Sequence, residues 1–187
     1  MPNAQEFFNA FLKSYNEKFI ETNTQWDGVW TDTYNWSNFM INNDESVIKN
    51  IEGYIGLRCH KGEPLRLDAV FTESDEWGWF PISIAIEHEN NPAGLHGEIN
   101  KLISIDCELK VAVTYSLLGD KSMDWVKDKI EKYFFLSLSK TNFLSSRNSE
   151  YLFIIGNELS ESPQKLSWKY AICRHHSQRK SLTWCDN

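Results

Sequence analysis

Two short apolar runs limit most strongly what this chain can fold into. They are Arg66-Leu67-Asp68-Ala69-Val70-Phe71 and, after a polar connection, Pro81-Ile82-Ser83-Ile84-Ala85-Ile86-Glu87-His88-Glu89-Asn90. Runs of this length, rich in β-branched and aromatic residues and bounded by turn-forming stretches, read as strands of one sheet. Each carries acid where a buried strand should have none. An unpaired buried carboxylate is costly enough that a fold keeps it only with a metal, a cation or a proton to neutralise it. The chemistry of the chain is therefore expected at these two strands.

The 187 residues are 41% apolar and 14% aromatic, enough for a real core, and a single domain over residues 1–187 is expected. No segment approaches the ~18 uninterrupted apolar residues of a membrane span. The first residues form neither the basic start nor the apolar core of a signal peptide. A soluble, cytoplasmic protein without a membrane partner is the expectation. Cys59, Cys107, Cys173 and Cys185 make no C-x-x-C pair, which points to reduced thiols rather than a zinc knuckle or a disulfide framework. The formal charge of -7 argues against a protein that grips a polyanion by bulk electrostatics. Lys165, Lys169, Arg174, His175, His176, Arg179 and Lys180 nevertheless gather in the last quarter, as a local basic surface or a solvated charged face.

In chain order, Asn3 and Glu6 are spaced to cap a first helix whose aromatic face is Phe7, Phe8, Phe11, Leu12, Tyr15 and Phe19. Residues 22–43, with Trp26, Trp30 and Trp36, read as an ordered excursion containing one short helix near Asn35 to Ile41, its tryptophans packed. Asn43 or Asp44 is expected to cap a second helix, with Val47, Ile48, Ile51 and Ile55 on one face and an end at Gly53 or Gly56. Strands follow at Leu57 to His60, Arg66 to Phe71 and Pro81 to His88, and their short connections favour an antiparallel meander. After Asn90-Asn91-Pro92 the period changes to that of a helix marked by Leu95, Ile99, Leu102 and Ile103. Leu109 to Leu117 is a strand parallel to its predecessor by the right-handed crossover rule. A helix opened by Asp120 or Ser122, with Met123, Val126, Ile130, Tyr133 and Phe134 inward, precedes strands at Glu150 to Gly156 and Leu166 to Cys173. The fold class is α/β, a mixed sheet of an antiparallel meander plus a parallel strand, flanked by helices.

Side chains alternate across a strand, so Arg66 and Asp68 are expected on one face of theirs, and Glu87 and Glu89 on one face of theirs, ~7 Å apart. If the strands pair directly, three carboxylates meet beside one guanidinium. Three like charges cannot ionise together without compensation, and a hard divalent cation takes oxygens of this kind. The competing reading is that Arg66 simply neutralises Asp68.

This segment resembles the PD-(D/E)XK nuclease superfamily, the restriction-endonuclease-like fold. The likeness covers roughly Asp44 to Tyr115 and rests on Leu67-Asp68-Ala69-Val70-Phe71 and Ala85-Ile86-Glu87-His88-Glu89-Asn90. The family sets an Asp on the second strand of a meander against a Glu-x-Lys on the third. Here Asp68 fills the first place, preceded by Leu67 where the family often has Pro. Glu87 fills the second after eighteen intervening residues, and Glu89 stands where the family has Lys. A minority of restriction endonucleases carry Glu-x-Glu and are active. The run from Ile86 through Asn90-Asn91-Pro92 to Glu98 and Lys101-Leu102 is similar to a group of standalone bacterial proteins of that superfamily.

The resemblance implies Mg²⁺ or Mn²⁺ held by Asp68, Glu87 and Glu89, phosphodiester hydrolysis of nucleic acid, DNA above all, and a homodimer as one assembly. Glu89 serves as ligand or general base, or alternatively the lysine role passes to Lys101 on the following helix, whose plainer reading is an i, i+3 partner of Glu98. An acid on the helix before the meander is Glu45 in first place and Glu52 in second. The alternatives are a non-catalytic binding or regulatory module on the same fold, and a structural protein whose acids pair with Arg66 and Lys101. His88, on the opposite strand face, reads as a packed histidine.

Overall fold

A computed structural model describes residues 1–22, 33–62, 64–76, 81–116, 122–140, 149–158, 166–174 and 181–186. The chain divides into two compact units, Met1–Ser83 and Ile84–Asn187.

The first unit opens with α1 (Ala4–Thr22). Asn3 and Glu6 cap it reciprocally: the Glu6 amide donates to Asn3 Oδ1 at 3.0 Å, and the Asn3 amide to Glu6 Oε2 at 2.9 Å. Phe7, Phe8, Phe11, Tyr15 and Phe19 form its buried face, as their spacing requires. The short helix near Asn35 is present as α2 (Thr33–Ser37) running into a π-helical turn, Asn38–Asn42, with buried Trp36 against Phe39 at 5.3 Å between ring centroids. Trp26 and Trp30 lie outside the described residues.

The next helix starts later than expected and is broken. Its N-cap is Ser46, whose hydroxyl accepts from the Lys49 amide at 3.3 Å, not Asn43 or Asp44. Asn43 is engaged elsewhere, because its amide closes the π-turn on Asn38 O at 3.1 Å. Lys61 Nζ then gathers Asn42 O, Asn43 O and Asp44 Oδ1 at 3.0, 2.6 and 3.2 Å, holding that turn apart from the helix. The helix divides at Ile51 into α3 (Val47–Asn50) and α4 (Glu52–Ile55), ended by Gly56 at φ 70°.

Strands β1 (Arg58–Lys61) and β2 (Ala69–Thr72) pair antiparallel with Cys59 opposite Phe71. Here the reading of Arg66 to Phe71 as one strand is corrected. Pro64–Arg66 is a 3₁₀ turn in which Leu65 and Arg66 have φ 56° and 65°, left-handed values no strand contains. Arg66 is exposed in that turn and shares no strand face with Asp68, which precedes the first residue of β2.

The second unit is a mixed α/β sheet with its own core. β3 (Ile84–Glu89), β4 (Leu109–Ser116) and β5 (Glu150–Glu158) run parallel, and β6 (Leu166–Cys173) and β7 (Trp184–Asp186) continue antiparallel. β3 begins three residues later than its apolar run, since Ser83 still donates to Phe71 O at 2.8 Å within the first unit. β4 is buried along its whole length, as a strand flanked by two parallel neighbours must be, which explains its β-branched text. β7 was not expected, because three residues are too few to show a period.

Two helices cover one face of this sheet. α5 (Leu95–Ser104) buries Leu95, Ile99, Leu102 and Ile103. α6 (Met123–Lys140) is capped by Ser122, whose hydroxyl accepts from the Trp125 amide at 3.2 Å, and sets Phe134 against Tyr151 and Phe153 at 4.7 and 5.0 Å. Met123 and Tyr133, expected inward, are only partly covered, and Ser137 is buried in their place.

On the opposite face Gly156 lies between Tyr115 and Trp168. A Cβ there would stand 2.7 Å from Tyr115 Cδ1, 2.8 Å from Leu166 Cδ1 and 3.0 Å from Trp168 Cζ3. Gly156→Ala is therefore expected to destabilise the protein by about 1–3 kcal/mol through overpacking, read from the denaturant midpoint.

Candidate functional site

The site is built on the end of β3. The β3–β4 register pairs Ala85 with Lys110, Glu87 with Ala112 and Glu89 with Thr114, so these six side chains share the face that α5 covers. A small residue opposite Glu87 leaves room for what α5 brings. Glu98 and Lys101 are one turn apart on that helix, and Lys101 Nζ lies 3.2 Å from Glu87 Oε1 and 2.5 Å from Glu98 Oε2. The Glu87 side chain is 1% exposed and that of Lys101 41%, so the carboxylate is inside and the ammonium at the surface. Burial alone would lower the Lys101 pKa, but the Glu98 hydrogen bond and the Glu87 charge outweigh it and raise it above its ordinary value. Lys101 is thus held as a cation throughout the neutral range.

Glu89 does something different. Its carboxylate accepts from the Asn91 amide at 2.7 Å, and its Cδ would lie 2.8 Å from a Cβ at Gly94. Thr114 Oγ1 donates to its carbonyl at 2.8 Å. Asn91 Oδ1 in turn accepts from the Ala93 amide at 3.1 Å. The side chain expected in the position of the family lysine is thereby turned into the Asn91–Gly94 turn that leads to α5, and it shapes that turn.

Asp68 is half-buried and belongs to the first unit, as does Glu45. Glu45 is corrected: it is exposed in the turn before Ser46 and stands on no helix, because the helix starts later than its spacing suggested. Glu52 is on a helix but is engaged by Lys49 at 2.6 Å, the Cys59 amide at 2.8 Å and Arg58 at 3.4 Å. Burial would raise its carboxyl, and these hydrogen bonds outweigh that and hold it below the usual range.

His88 points to the other face, as alternation requires. Its Nε2 is 2.7 Å from Tyr115 Oη, and burial pushes its pKa down to about 4. The folded protein therefore refuses a proton that the unfolded chain accepts from about pH 6.5 downward. Stability is expected to be unaffected by His88 above that pH and to fall as the pH drops toward 4. A His88→Gln variant followed by thermal melts from pH 7 to pH 4 is expected to show a shallower acid loss than the wild type.

Of the expected basic surface, Lys169 pairs with Asp186 and Arg174 with Glu150, while Lys165, His175, His176, Arg179 and Lys180 lie outside the described residues. All four cysteines are thiols rather than disulfides. Burial pushes the Cys59 thiol up to about 12 and that of Cys107 up to about 11, which makes both weak nucleophiles.

One polar residue on this face was not anticipated. Lys110 is 1% exposed at the second position of β4, with Nζ 3.4 Å from both Ile103 O and Tyr151 Oη and 5.2 Å from the centre of the Tyr151 ring. Burial pushes its pKa down to about 8. The signal was a single charge inside the run Leu109 to Leu117.

Among the described residues no group of three or more His, Cys, Asp or Glu side chains is placed to hold a metal ion. Mg²⁺ is also held by one or two carboxylates with water completing its shell. Here the Glu87 and Glu98 carboxylates both face the Lys101 ammonium, which compensates their charge. No family model matches the chain, and no curated protein matches it. No helix among the described residues is long and apolar enough to cross a membrane.

Proposed function

We propose that the chain is a divalent-cation-dependent phosphodiesterase on a restriction-endonuclease-like fold, acting on nucleic acid and on DNA in particular, in the cytoplasm. The observation that carries this reading is the buried carboxylate of Glu87 at the end of β3, met by Lys101 from the following helix. That pairing supports transfer of the lysine role to Lys101, since Glu89 is turned away into the Asn91–Gly94 turn. Glu87 would be the ligand of Mg²⁺ or Mn²⁺ on this unit, and Glu89 would join it only by leaving the Asn91 amide. A bound ion of this kind polarises the phosphoryl oxygen and supplies a water nucleophile at neutral pH. The contribution of Lys101 is a fixed positive charge at the surface of the site, suited to the phosphate and to the charge that develops on it. A homodimer would let two such sites act on two strands.

A second reading is favoured by the Lys101 ammonium, which already meets both Glu87 and Glu98. In it the same unit is a binding or regulatory module, and Glu87, Glu98 and Lys101 are an ion-pair network that fixes α5 to β3. Incubation of the protein with supercoiled, linear and single-stranded DNA in Mg²⁺ and in Mn²⁺ separates the two. Metal-dependent nicking or degradation supports the phosphodiesterase, and intact DNA under all conditions supports the module.

A further inference from the structure

We propose that Glu98 is the positioning residue of this site: it holds the Lys101 ammonium over the Glu87 carboxylate. The catalytic consequence rests on the phosphodiesterase reading above, whereas the positioning does not. Lysine is a flexible point charge on a four-carbon stem, and at 41% exposure nothing in the packing of α5 compels its ammonium to stay over a carboxylate beneath the surface. Glu98 supplies that constraint. It is one helical turn before Lys101 and two-tenths exposed, and its Oε2 is 2.5 Å from Nζ, closer than the 3.2 Å to Glu87. The ammonium is thus shared between an outer and an inner carboxylate, the outer one on the same helix and the inner one on the sheet.

The arrangement separates two tasks. Glu87 requires a positive charge, because at 1% exposure its ionised form has little water to solvate it. Glu98 keeps a fifth of its side chain exposed while its Oε2 is enclosed and faces the ammonium, so its proximity serves Lys101. Other groups facing the ammonium follow from the elements around it. From β3 there is Glu87, with Glu89 turned into the Asn91–Gly94 turn. From α5 there is Glu98. From β4 the register places Ala112 and Thr114, neither of them titratable, beside the two β3 acids. Lys110 is on the same face but is directed to Ile103 O and Tyr151. Among the described residues Glu98 and Glu87 are accordingly the two carboxylates within salt-bridge distance of Lys101, and together they determine where its ammonium sits.

The test follows the Lys101 side chain by NMR of lysine-labelled protein, with Lys101→Arg identifying its signal, and compares wild type with the isosteric Glu98→Gln. In Glu98→Gln the Lys101 side chain is expected to show greater motional averaging at its terminal carbon than in wild type, with the fold and melting behaviour retained. Unchanged mobility would overturn the proposal, whatever a cleavage assay shows. Where wild type cleaves DNA, Glu98→Gln is expected to lower kcat with KM little changed, and an unchanged kcat would overturn the catalytic consequence. Raised mobility in a protein that cleaves nothing would support the positioning and count against the phosphodiesterase reading alone.

Discussion

Replacing Glu87 with glutamine is expected to lower metal-dependent DNA cleavage by about a thousandfold while leaving the protein folded. The two halves of that expectation come from one asymmetry. Glutamine keeps the shape and an acceptor oxygen for Lys101 but removes the only charge of the pair that is fully enclosed. Lys101, left without its inner partner, still has Glu98 at 2.5 Å and water around a side chain 41% exposed, so stability is little affected. The reverse substitution behaves differently. Lys101→Ala leaves a carboxylate at 1% exposure without its cation, and is expected to cost about 1–3 kcal/mol, below the value for a wholly buried pair because water reaches the vacated position. Measured in parallel, the two variants separate loss of activity from loss of fold. If both lose stability equally and neither changes a cleavage rate, the pair is structural.

Lys110→Met is expected to make the protein more stable at pH 7, by up to about 3 kcal/mol. The lysine is enclosed on β4 and its two hydrogen-bond partners, Ile103 O and Tyr151 Oη, are both at 3.4 Å, the long end of the range, so its desolvation is poorly compensated. The pH dependence has a definite sign. Burial lowers its folded pKa to about 8 from its ordinary value of 10.5. Below pH 8 the lysine is charged in both states and the folded state bears the full cost. Between about pH 8 and 10.5 the folded protein has released the proton and the unfolded chain has not, so wild-type stability gains from this group as the pH rises. The advantage of Lys110→Met is expected to be largest at or below pH 8 and to fade toward pH 10.5, as read by urea unfolding at a series of pH values. Methionine matches the length of the stem and its sulfur sits well beside the Tyr151 ring, so the substitution introduces no cavity.

The elements that could be read in the sequence were those whose period and caps agree. α1 is one, with Asn3, Glu6 and an aromatic stripe at helical spacing, and β4 is another, with an apolar run long enough for only one reading. The parallel relation of β3 and β4 followed from the helix between them. What could not be read was decided by contacts distant in sequence. The cap moved from Asn43 to Ser46 because Lys61, from β1, draws in the oxygens of the preceding turn. Arg66 and Asp68 looked like alternate residues of one strand because nothing in Pro64-Leu65-Arg66 announces two consecutive left-handed residues without a glycine. In the site, the approach of Lys101 to Glu87 was implied by the resemblance, while spacing alone gave its i, i+3 pairing with Glu98. It could not show that Glu89 would be turned away, because alternation fixes the face of a strand residue and not the hydrogen bond its side chain takes at the strand end.

Metal binding distinguishes a buried Glu87 carboxylate that belongs to a metal-dependent centre from one in an ion pair that merely fastens α5. Calorimetric titration of the protein with Mn²⁺, in wild type and in Glu87→Gln, tests for that centre most directly. Saturable binding is expected in wild type at millimolar metal or below, with its loss in Glu87→Gln. No binding in wild type at millimolar Mn²⁺, or equal binding in both proteins, would contradict the metal-dependent centre.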